Sequence, residues 1–235
     1  MENAQINYLL SVLFFTLVSL NIYSQQPNTV NEFDPGIVVG LELSPRVRLD
    51  FASGREKVDE FNSSKWKVSG GVSFRMKPLW RLFTDDSDSD KSHLLVLGIA
   101  YEYGRASEDG VKFNEHKIML DGTGRLITNK ILMSDRNRFE FRWIDGKYNF
   151  RYRNRFMLER TFKVKKIRLT PYASAEAFWD VKYTKWNQFK FTGGAVFPIN
   201  RRTSLDVYYE RIHCVTCTDQ HYNILGVALN LFFKK

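Results

Sequence analysis

Residues 131–160 read ILMSDRNRFEFRWIDGKYNFRYRNRFMLER, and the tetrapeptide RNRF occurs in them twice, at Arg136–Phe139 and Arg153–Phe156. Between the copies lies Asp145-Gly146, a two-residue hairpin signal. At a period of two, Phe139, Phe141 and Trp143 share one face of the first arm and Arg136, Arg138, Glu140 and Arg142 the other. The second arm repeats this, with Phe150, Tyr152, Phe156 and Leu158 alternating with Arg151, Arg153, Arg155 and Glu159. A helix would scatter both sets around its circumference, so the stretch is read as a β-hairpin with one aromatic and one charged face.

The rest of the chain extends that pattern. Trp66–Met76 alternates an apolar set (Trp66, Val68, Val72, Phe74, Met76) with Lys67, Ser69, Ser73 and Arg75 over a length that suits a tilted membrane strand. Similar segments fall at 36–43, 46–53, 94–104, 113–126, 167–180, 186–198, 202–212 and 221–233, giving eleven strands with the hairpin arms. Most connections are short, so consecutive strands are antiparallel neighbours in an up-and-down meander. Single-chain outer-membrane barrels have even strand numbers, so ten or twelve are expected and one strand is missing or wrongly split.

Composition agrees with an all-β, up-and-down antiparallel transmembrane barrel. The 19 Phe, 11 Tyr and 5 Trp are many for a soluble domain of 235 residues, and Trp66, Trp143, Trp179, Phe189, Phe197, Tyr209 and Phe233 fall near strand ends, where interfacial girdles lie. A soluble sandwich or lipocalin-like barrel is the alternative, with the apolar faces turned inward. The net charge of +9 favours polyanions, but the basic residues alternate with aromatics and no nucleic-acid-binding motif appears, so nucleic acid is not an expected partner. Residues 8–23, YLLSVLFFTLVSLNIY, form an uncharged apolar core followed by Ser24, as in a cleaved signal peptide, although Met1–Asn7 lacks the usual basic residue. The expected organisation is a signal peptide at 1–24, a polar lead at 25–34 and a barrel from 35 to 235.

The final segment ILGVALNLFF has Gly226, Leu229, Leu231 and Phe233 at the spacing of the C-terminal signal read by barrel assembly machinery, followed by Lys234-Lys235. The succession SDRNRFEFRW (134–143), RYRNRFMLER (151–160), TPYASAEAFWD (170–180) and SLDVYYER (204–211) resembles the bacterial outer-membrane family called domain of unknown function twenty-four-ninety. That resemblance implies an exported barrel in the cell outer membrane, with outer-membrane lipid and lipopolysaccharide as surroundings, and brings no activity, cofactor or catalytic residue.

With the polar face inward, the Asp145-Gly146 turn sets Arg136 opposite Arg155, Arg138 opposite Arg153, and Glu140 opposite Arg151. The flanking connections are expected to bring Asp121 to Arg136, Glu115 to Arg142, and Glu176 to Arg151, with Lys190 between Glu176 and Glu210. The resulting belt Glu140–Arg151–Glu176–Lys190–Glu210 plugs a narrow lumen by charge pairing. Arg138, Arg153 and Arg155 are left over, and would line an anion-selective constriction or hold a small anionic solute. A rim hydrolase would need a Ser-His pair, for which Ser107, Asp109 and His116 are the candidates. The acidic run Asp85–Asp90 lacks the Gly and distal Glu of a calcium loop and is read as a solvated connection. In HCVTCTDQH (213–221) a Cys214–Cys217 disulfide is expected over a cramped zinc site, and no metal or other cofactor is anticipated. With the C-terminus periplasmic, loops 54–65, 105–112, 144–147, 181–185 and 213–220 face outside and 77–93 faces the periplasm.

Overall fold

The computed structural model describes residues 29–58, 63–79, 88–108, 111–164, 167–217 and 220–234. The signal sequence at 8–23 and Ser24, Asp85, Asp86 and Asp109 lie outside the described residues. The strands are β1 (Thr29–Ser44), β2 (Val47–Val58), β3 (Ser63–Pro78), β4 (His93–Glu108), β5 (Val111–Thr128), β6 (Ile131–Ile144), β7 (Lys147–Glu159), β8 (Phe162–Val164), β9 (Ile167–Asp180), β10 (Lys185–Pro198), β11 (Thr203–Cys214) and β12 (His221–Lys234), with a 3-10 turn at Ser89–Ser92. β1 begins inside the stretch read as a polar lead, and its Asp34 is buried.

The sheet closes on itself. Every strand but β8 pairs on both sides, and β1 completes the ring by pairing with β12 in parallel, from Thr29 opposite His221 to Glu42 opposite Lys234. β8 is a short hairpin extension on β9, so the barrel has eleven strands. The expected even number does not hold. In an odd meander the first and last strands run the same way, so the closing pair must be parallel, a slightly less stable pairing per residue. It also puts residue 29 and the C-terminus at opposite ends of the barrel.

Two-residue turns set the register where they occur. Asp145 and Gly146 have φ of 47° and 78°, and Asn129 and Lys130 have φ of 50° and 68°, the left-handed pairs that mirror-image hairpin turns require. The alternation is the expected one. Trp66, Val68, Phe74, Leu97, Ile99, Phe139, Phe156, Trp186, Phe191 and Phe233 stand exposed on the outer wall. The buried set is predominantly polar and includes Lys65, Arg75, Glu102, Glu115, Lys117, Glu140, Arg142, Arg151, Arg153, Glu176 and Asp180. This inverts the soluble lipocalin-like arrangement, since apolar faces turned inward would have buried the aromatics and exposed the charges.

Inside, large side chains lie over glycines of the next strand. A Cβ on Gly226 would overlap the Tyr208 ring, and one on Gly194 would come within 2.7 Å of Tyr172. Tyr208 pairs with Gly226 and Tyr172 with Gly194, so a narrow barrel accommodates inward tyrosines by omitting the opposite side chain.

Candidate functional site

Two ion-pair chains run from strand to strand on the lumen side of the barrel. In the first, Arg153 reaches Glu140 at 2.8 Å and Glu176 at 3.0 Å, and Lys190 continues to Glu176 at 3.4 Å and Glu210 at 3.0 Å. Arg136 adds a third cation to Glu176 at 2.8 Å. Phe178, one of the few aromatics that point inward, lies 4.4 Å below the Arg153 guanidinium, which fixes its plane. In the second chain, Lys117 meets Glu102 at 2.9 Å, Arg142 meets Glu115 at 2.6 Å, and Arg151 meets Asp180 at 3.2 Å. Lys65 ties the two acids together by bonding Glu115 and lying 3.5 Å from Glu102. Arg138 holds Asp121 through two hydrogen bonds of 2.6 and 3.0 Å.

The hairpin register is as read, with Arg136, Arg138 and Glu140 opposite Arg155, Arg153 and Arg151. Two neighbouring registers differ, for identifiable reasons. Asn129-Lys130 is a two-residue turn, tighter than the four-residue connection expected, so Asp121 faces Arg138 and Thr123 faces Arg136. Between β7 and β9 the chain forms β8 and folds it back on β9, which moves Glu176 opposite Arg155 and Asp180 opposite Arg151. The belt therefore runs through Arg153 instead of Arg151. Arg138 and Arg153 are paired, and of the three arginines expected to be left over only Arg155 has no carboxylate within ion-pair distance. Arg155 lines a cavity of about 240 Å³ together with Arg48, Lys91, Tyr172, Asp206 and Asn230.

Described side chains pack together at both mouths of the lumen. At one mouth the 3-10 turn folds inward: Arg48 contacts Asp50, Asp88 and Asp90, each at 2.6 Å, Arg75 contacts Asp90 at 2.6 Å, and Lys91 reaches Glu159 at 2.9 Å. The end of the acidic run is therefore a latch and not a solvated connection. Burial acts to raise the Asp88 carboxyl, but Arg48 and Lys91 more than reverse this and hold it below the usual carboxylate range, so it stays charged at neutral pH. At the other mouth Ala106, Phe113 and Ile144 form one apolar cap and Ile212, Cys214, Tyr222 and Ile224 another.

Cys214 and Cys217 are disulfide-bonded. Cys214 is buried in the cap, while His213 and His221 stack on the opposite face of the strands with ring centroids 4.9 Å apart, so the four residues do not converge on a metal. The hydrolase candidates also stay apart. His116 stands exposed on the outer wall, its Nδ1 2.6 Å from the Tyr101 hydroxyl, and is paired with Tyr103. Ser107 pairs with Lys112, four residues further along β4, or about 13 Å at strand spacing.

Sequence reasoning missed Arg48, Lys65, Glu102, Lys117, Asp90 and Asp180 as members of the network. All but Asp90 sit at inward positions of their strands, so alternation could have placed them on the right face.

The family described as "Protein of unknown function (DUF2490)" matches residues 25–219. The chain belongs to this family. No curated protein matches the sequence. Among solved structures the DUF2490 chain is similar to LpxR from Salmonella typhimurium, with 9% identity, a TM-score of 0.46, and coverage of 79% of this chain and 83% of that one. So remote a likeness bears on neither chemistry nor ligand.

Proposed function

We propose that this DUF2490 chain is a component of the bacterial outer membrane, a barrel whose lumen is locked by ion pairs and which serves a structural or gated-transport role. The observation that carries the reading is the chain Glu140–Arg153–Glu176–Lys190–Glu210, which sets five alternating, paired charges on the lumen face of five neighbouring strands. A permanently open pore would instead keep like charges unpaired along its wall. The apolar, aromatic outer wall supports contact with outer-membrane lipid and lipopolysaccharide, and the alternation at the end of β12 supports delivery by the barrel assembly machinery. The expected result on cell fractionation is recovery with the outer membrane and a folded band that shifts on heating in detergent gels. A soluble protein without heat-modifiable mobility would overturn the reading.

A second reading rests on Arg155 and the cavity beside it. A guanidinium without a carboxylate within ion-pair distance, facing a cavity of about 240 Å³ that Arg48 and Lys91 line along with Asp88, Glu159 and Asp206, suits a small phosphate- or carboxylate-bearing solute. Calorimetric titration with inorganic phosphate is expected to show saturable binding that Arg155→Gln abolishes. Binding unchanged by the substitution would remove this reading.

A further inference from the structure

One polar island on the outer wall of the described strands contains a carboxylate. On the outward positions of the described strands, Asp135 is the only carboxylate, and it is exposed. Asn154 of β7 donates to it at 2.7 Å and Asn137 of β6 at 3.2 Å, and Asn154 also donates to the Asn137 carbonyl oxygen at 3.2 Å. The Tyr152 hydroxyl bonds the same carbonyl oxygen. Outward apolar and aromatic pairs flank this group along both strands. Met133 and Leu158, paired across the strands, lie on one side of it, and Phe139 and Tyr152, also paired, on the other.

Hydrocarbon offers nothing to such a group, and polar side chains facing it are costly unless another surface covers them. The internal bonds leave capacity unused. The Asp135 carboxylate accepts two hydrogen bonds of the four or so it can take, one Asn137 N–H has no acceptor, and the Asn154 carbonyl oxygen has no donor. The flanking wall is low, with Gly122 and Gly124 of β5 opposite Asn137 and Asp135, and Ala177 and Ala175 of β9 opposite Asn154 and Phe156. A Cβ on Gly124 would meet nothing within 4 Å.

We infer that this face is the contact between two copies of the chain in the membrane, paired about a two-fold axis along the membrane normal. Barrels of one kind insert in one orientation, so the axis brings each island to its own copy at the same depth. Donors and acceptors then match by symmetry, with the spare Asn137 N–H of each copy directed to the Asp135 carboxylate of the other. The glycine and alanine shelves let the walls approach closely enough for those bonds. This rests on the membrane reading, and recovery in the soluble fraction would defeat that reading before the pairing is tested.

The test is cross-linking of full-length Gly124→Cys in isolated outer membranes with a short bis-maleimide, which the disulfide-bonded Cys214 and Cys217 do not consume. Gly124→Cys leaves the island intact. The expected product is a species of twice the chain mass containing this chain alone, and Phe51→Cys, on a wall distant from the island, gives none. Adding Asp135→Ala, or Asn154→Leu should that variant lose heat-modifiable mobility, lowers the yield at least about tenfold, the ratio set by roughly 1.4 kcal/mol. Monomer alone from Gly124→Cys, a product with a different polypeptide, or equal yield from Phe51→Cys would overturn the pairing.

Discussion

Replacing Arg153 by alanine is expected to destabilise the barrel more than replacing any other lumen arginine. Arg153 is the cation shared by Glu140 and Glu176, which are 0% and 3% exposed. Its removal leaves Glu140 with Arg138 at 4.0 Å, while Glu176 keeps Arg136 and Lys190. Deleting one partner of a buried pair costs about 3–5 kcal/mol, because the remaining charge keeps its desolvation penalty and loses its compensation. The urea midpoint of the refolded protein in lipid vesicles should fall accordingly. Arg153→Met with Glu140→Gln should recover part of the loss, since no unpaired charge is then left on β6. Arg138→Ala should cost less, because Arg138 and Asp121 both retain 19% side-chain exposure to the lumen. An Arg153→Ala midpoint equal to the parent would show that lumen water, and not the pairing, carries these charges.

Gly71→Val is expected to prevent or severely weaken folding. Gly71 faces inward on β3 opposite Ala100 of β4, and a Cβ there would stand 2.6 Å from the Ala100 Cβ and 2.7 Å from the Ile99 carbonyl oxygen. These groups belong to or sit directly on the backbone of a paired strand, so they cannot rotate away as the Tyr208 ring can over Gly226. Overpacking costs about 1–3 kcal/mol where side chains can adjust, and separating two ladder strands should cost more. The measurement is the fraction of heat-modifiable protein after refolding. Gly193→Ala is the control, since a Cβ there would meet nothing within 4 Å. Equal folded fractions for the two variants would contradict the closeness of β3 and β4.

Much of this architecture was legible because a strand period of two is a local property. Trp66 to Met76 and Phe139 to Trp143 declare their outward face without reference to any other strand, and a lumen that is polar follows at once. Register was legible only where a turn fixed it. Asp145-Gly146 placed Arg138 opposite Arg153 correctly, whereas the short turn at Asn129-Lys130 moved Asp121 by two residues and the extra β8 hairpin moved Glu176 by four. Since lumen chemistry depends on which charge faces which, those two shifts turned Arg153 from a surplus group into the centre of the network. The latch was not legible for another reason. Asp88 and Asp90 lie in a connection, where no periodicity shows that the chain turns back into the barrel to meet Arg48 and Arg75. Parallel closure was likewise hidden, because β1 and β12 are at opposite ends of the sequence and the count of eleven conflicted with the usual even number.

The ion-paired lumen is the central claim, and current through the wild-type protein in a planar lipid bilayer tests it most directly. The pairing of Glu140, Arg153, Glu176, Lys190 and Glu210, with the latch at one mouth and the apolar caps at the other, predicts inserted protein without steady conductance at neutral pH. A stable open-state current from the wild type, unaffected by Arg153→Ala, would contradict it.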